Sequence, residues 1–117
     1  MNDVDALVGE WLTLPDVSER LGVPVTKVKQ LIRDGELLAV PHGEREAPHI
    51  PAEFLQNGDV LRGLAGTLTL LRDAGYSDLE CARWLFTPED GLGESPVQAL
   101  RQQRGKAVRR IAQTLGF

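Results

Sequence analysis

The chain has 117 residues, 42 % of them hydrophobic, with a net charge of −4 and one cysteine, Cys81. It is long enough for a compact fold, too apolar to stay disordered, and on average too acidic to coat nucleic acid by bulk charge. A lone cysteine excludes an intrachain disulfide and a cysteine-rich metal site, and no apolar run reaches the roughly 20 residues that span a bilayer.

The charge is unevenly spread. Residues 1–19 carry Asp3, Asp5, Glu10, Asp16 and Glu19 with no Lys or Arg, whereas residues 101–117 carry Arg101, Arg104, Lys106, Arg109 and Arg110 with no acid. An acidic N-terminus is the opposite of a secretory signal, so a reducing cytoplasm, at the nucleoid, is the expected compartment.

In chain order, residues 1–10 read as a flexible tail. The first helix follows: Thr13 can cap it, Pro15 suits its opening turn, and Asp16 favours the positive end of its dipole. Leu14, Val17 and Leu21 supply an apolar stripe, and Gly22 stops the helix in a left-handed cap. After a turn through Val23, a second helix is predicted over residues 24–34. Spaced at 100° per residue, Val25, Val28, Leu31 and Ile32 share one face. Thr26, Gln30 and Arg33 fall opposite, flanked by Lys27 and Lys29. Hydroxyl, amide, guanidinium and ammonium groups are the ones that donate to phosphates and read base edges in a major groove. Any surface helix has a polar outer face; two short helices joined by a tight glycine-containing turn give this one a helix-turn-helix setting.

Residues 36–40 then read as a strand, 41–47 as a polar loop, and 48–51 as a short return strand whose prolines suggest a sheet edge. This hairpin would be a wing, with His42, Arg45 and His49 at its tip, tempered by Glu44 and Glu46. Residues 56–59 read as a polar break between halves. Beyond it the pattern is helical. Leu61, Leu64, Leu68 and Leu71 mark one helix. A Ser77/Glu80 capping box opens a second, with Leu79, Ala82, Leu85 and Phe86 inward. Ser95-Pro96 opens a third, carrying Val97 and Leu100. Val108, Ile111, Ala112 and Leu115 define the last. Trp84 and Cys81 read as core residues. Lys106, Arg109 and Arg110 lie off the last apolar face, where they could touch flanking phosphates.

The expected fold is mainly α with a small β-hairpin wing: a winged helix-turn-helix over residues 11–56, followed by a helical bundle over 60–117. The stretches Trp11-Leu12-Thr13-Leu14-Pro15-Asp16-Val17, Leu21-Gly22-Val23 and Lys27 to Leu37 resemble the winged helix-turn-helix of MerR-like and excisionase-like proteins. With Gly75-Tyr76 and Arg83-Trp84-Leu85-Phe86-Thr87-Pro88 included, the chain is similar to an actinobacterial DNA-binding family described as a kinase substrate. That resemblance implies DNA binding by the second helix with the wing assisting. Residues 1–12 hold no Ser or Thr, so a phosphosite in that tail would have no residue to occupy. No long helix of the kind through which MerR-type regulators dimerise follows. From Arg83 onward the sequence also resembles the toxin-binding domain of Xre–MbcA–ParS antitoxins, which implies a C-terminal module for a protein partner or a homodimer.

Chemistry for other classes is missing. His42 and His49 lack further ligands at metal spacing, and there is no phosphate-cradling glycine loop, nucleophile elbow or HExxH. No catalytic residue, cofactor or metal is expected, and the expected partner is double-stranded DNA.

Overall fold

The computed structural model describes residues 4–116. A single helical turn, α1 (Val4–Leu7), precedes strand β1 (Trp11–Thr13). Helices α2 (Leu14–Leu21) and α3 (Val25–Arg33) lead to strands β2 (Val40–His42) and β3 (Ala47–Pro51). A 3-10 turn over Ala52–Phe54 enters a second hairpin, β4 (Leu55–Gln56) and β5 (Asp59–Val60). Four helices complete the chain: α4 (Leu64–Asp73), α5 (Asp78–Phe86), α6 (Pro96–Arg101) and α7 (Gly105–Ala112). This is a winged helix-turn-helix followed by a helical bundle.

Local chemistry sets the helix ends. Thr13 caps α2 by accepting from the Asp16 N–H at 3.2 Å, while the Asp16 carboxylate accepts from the Thr13 N–H at 3.0 Å. Ser77 and Glu80 repeat the arrangement on α5, at 3.2 and 2.9 Å. The backbone N–H donated at each box holds the Asp16 and Glu80 carboxyls below their usual ranges. A carboxyl depressed by folding stabilises the fold above its unfolded pKa, and that stability is lost as pH falls through the folded value. The Asp16→Asn, Glu80→Gln double variant should therefore show a flatter fall of Tm than the parent below about pH 4. Equal acid slopes in thermal melts of the two proteins would remove the caps from the account.

The three-stranded sheet runs in the order β1-β3-β2, antiparallel throughout. The strand pairing, with that of β4 and β5, corrects three expectations. The first wing strand begins at Val40, not at residue 36. Leu37 and Leu38 are both buried, which an alternating strand cannot do, and the N–H groups of Glu36 and Leu37 instead close the end of α3 on the Leu31 carbonyl at 2.9 and 3.2 Å. The return strand β3 is central and not an edge, because β1 pairs with it on the other side. Its prolines are tolerated by register. Pro48 faces Pro41, which can only be a non-hydrogen-bonded pair, and it lies past the end of β1. Pro51 lies past the end of β2. The polar break is also a hairpin, turned by Asn57 (φ 55) and Gly58 (φ 76), the Asn-Gly pair that a two-residue turn of this hand needs.

Residues 4–10 are not a loose tail, while residues 1–3 lie outside the described residues. Val4 and Val8, one turn apart, are buried, and α1 packs on α5. So short a helix has no stability of its own, and burial of this pair holds it. The wider core is one cluster drawn from both halves, from Val17, Val28 and Leu38 to Leu68, Leu85 and Val108. Phe54 sits at the join, fully buried, with its ring 5.6 Å from that of Phe86. The radius of gyration, 13.5 Å, is the roughly 13 Å of one packed domain. Cys81 is buried with its thiol pKa pushed up to about 11 by desolvation, and Trp84 packs half-buried against the cluster.

Candidate nucleic-acid interface

Helix α2 ends at Gly22 (φ 69), whose N–H reaches the Ser18 carbonyl at 2.9 Å, and the Val23 N–H reaches the same oxygen at 3.1 Å. The Ser18 hydroxyl donates to the Val23 carbonyl, so the turn is held from both sides. Pro24, in extended conformation, is the cap residue before α3, and the first turn of the helix carries no acid. Val28 is fully buried beneath the helix, with Val25, Leu31 and Ile32 partly buried beside it. Thr26, Lys27, Lys29, Gln30 and Arg33 are all exposed, and none of their side chains bonds to another described residue. The two faces thus separate as the spacing predicts.

Between α3 and the wing lies an open hollow of about 500 Å³. Leu14, Ile32, Pro41 and Pro48 line it, and Lys29, Arg33 and Glu46 also border it. The apolar members, above all the facing prolines, were not legible as site residues, because only strand register brings them beside α3.

The wing tip is the turn through Gly43 (φ 83) and Glu46 (φ 50), where the Glu46 N–H bonds to the Gly43 carbonyl at 3.1 Å. Arg45 is exposed there. The two histidines are not at the tip. They lie on the sheet, within β2 and β3. His42 stacks on Trp11 with centroids 4.4 Å apart and pairs through Nδ1 with the Asp5 carboxylate at 2.8 Å. His49 meets His42 edge-on at 5.2 Å, and its Nδ1 lies 2.7 Å from the Ala47 carbonyl. His42 thus fastens α1 to the sheet. Among the described residues, no group of three His, Cys, Asp or Glu side chains could hold a metal ion, and no helix is long and apolar enough to cross a membrane.

The late basic residues divide by partner. Arg101 donates to the carbonyls of Glu53 and Leu55 at 2.9 and 2.7 Å, clamping the first half to the second. Arg104 bonds the Leu92 carbonyl at 3.0 Å and Glu94 at 2.7 Å. Lys106, Arg109 and Arg110 are exposed and make no such bond.

A two-helix unit with an outward polar second helix, backed by a three-stranded sheet whose hairpin projects beside it, defines a winged helix-turn-helix protein. The comparisons with known proteins agree. A family model described as "DNA-binding protein Rv2175c, wHTH domain" matches residues 2–55, and one described as "Rv2175c C-terminal domain of unknown function" matches residues 61–116. The DNA-binding protein Rv2175c of Mycobacterium tuberculosis is 41 % identical to this chain, over 89 % of this chain and 79 % of its own length. The NMR structure of Rv2175c superposes with a TM-score of 0.82 at 37 % identity, covering 96 % of this chain and 93 % of that one. The chain belongs to the Rv2175c family of winged helix-turn-helix DNA-binding proteins.

Proposed function

We propose that the chain is a sequence-preferring duplex DNA-binding protein that acts as a transcriptional regulator or nucleoid-associated factor, reading the major groove with α3. The observation that carries this reading is the face of α3. Thr26, Gln30 and Arg33 point outward with no protein partner, while Val28 anchors the opposite side in the core. In this reading those three side chains meet base edges, and Lys27 and Lys29 meet phosphates. Arg45 reaches the backbone from the wing tip. His42 and His49 serve the wing by positioning it, since their rings are engaged with Trp11, Asp5 and each other.

The relative's name supports DNA over a protein partner, and so does surface chemistry. Among the described residues the one exposed large apolar side chain is Leu7, at 38 % exposure, and it lies in the N-terminal half.

The test is selection of bound duplexes from random DNA, followed by anisotropy titration of the best sequence against a scrambled one. The selected duplex should bind more tightly. The three phosphate contacts of Lys27, Lys29 and Arg45 should lower affinity about 40-fold between 50 and 200 mM salt. Salt-independent binding, or no preference between the two duplexes, would reject the reading.

A further inference from the structure

Among the described residues, the cations without a partner fall into two groups. One is the set on α3 and the wing. The other is Arg62, just before α4, with Lys106, Arg109 and Arg110 on α7. The remaining basic side chains of the second half are engaged: Arg72 with Asp78, Arg104 with Glu94, Arg101 with two carbonyls, and Arg83 within the fold. Three of the unengaged group, Arg62, Lys106 and Arg109, converge on one hollow of about 330 Å³. Gly63, Gly105 and Gln103 also line it, and no acidic side chain does. Like charges gathered in a concavity repel one another and focus a positive field outward, an arrangement that favours an anion.

We propose that this hollow holds a backbone phosphate of the same duplex that α3 engages, giving the C-terminal half a sequence-blind share of DNA binding. This rests on the reading of α3 as the groove-reading helix. Placement supports a shared duplex. Arg72, near the far end of α4, bonds to the Gly35 carbonyl at 3.2 Å, just beyond α3, while Gly63 in the hollow precedes the first residue of α4. The ten residues of α4 run about 15 Å. That separation equals about four to five base pairs at 3.4 Å each. Arg62 completes the cluster from a position far from α7 in sequence, which is why spacing along the chain gave no sign of it.

The experiment compares the full chain with its Arg62→Gln, Lys106→Gln, Arg109→Gln triple variant. The three side chains make no internal bond, so the variant should keep its Tm. On both the selected and the scrambled duplex its salt slope should fall by about 0.9, so that it loses about 3.5-fold less affinity than the parent over a fourfold rise in salt. An unchanged slope in a folded triple variant would overturn the proposal while leaving α3 untouched. Loss of sequence preference in α3 variants alone, with the triple variant binding as the parent does, has the same meaning. If the parent binds no duplex at all, the α3 reading fails and takes this one with it. Titration with inorganic phosphate separates a free-anion pocket: amide shifts at Gly63 and Gly105 with DNA affinity of the triple variant unchanged would also overturn it.

Discussion

Arg33→Ala should weaken binding to the selected duplex by about 1–3 kcal/mol and relax the preference at one base position. The guanidinium presents two parallel N–H groups that match guanine O6 and N7, and a methyl group can replace neither. Lys29→Ala should behave differently. An ammonium that meets a phosphate carries no sequence information, so affinity should fall alike on selected and scrambled DNA, and the salt slope should shrink by about 1. Both side chains are exposed and unbonded, so neither substitution should move Tm. The contrast between the two variants is the diagnostic. Negligible effects from both, in proteins of parental Tm, would remove α3 from the interface.

Phe54→Ala should cost about 3–5 kcal/mol, a large part of the 5–15 kcal/mol that holds a domain of this size together. Phe54 has no exposed surface, and its ring meets Phe86 of α5 from the turn that follows the wing. The cavity left behind would open between the two halves, which share one core cluster. Both halves should therefore lose stability together. Trp11 lies in the sheet and Trp84 on α5, so Trp11→Phe and Trp84→Phe backgrounds report each half separately in urea titrations. Coincident midpoints, shifted equally by Phe54→Ala, are the expected result. A shift confined to one reporter would mean that the halves fold independently.

Several devices were legible from the amino-acid order alone. The Thr13 and Ser77 caps, the Gly22 stop, the two-faced pattern of α3 and the 3,4 spacing of Val108, Ile111 and Ala112 involve residues within one or two turns of each other. Backbone hydrogen bonding and helical periodicity determine such features wherever the segment lies. The Asn57-Gly58 hairpin belonged to the same class, and its signal was in the sequence.

The tertiary structure decided whatever depends on residues distant in the chain. A three-residue strand such as β1 has no periodicity to detect and exists because β3 lies beside it. Likewise α1 is helical because α5 buries Val4 and Val8, and His42 is drawn from the wing tip to Trp11 and Asp5. Arg101 and Arg109 sit on neighbouring helices with similar charge, yet one is consumed by carbonyls of the first half and the other is left for solvent or ligand. Which cation stays available depends on long-range proximity, because a guanidinium is held only where acceptors from another part of the chain come within bonding distance.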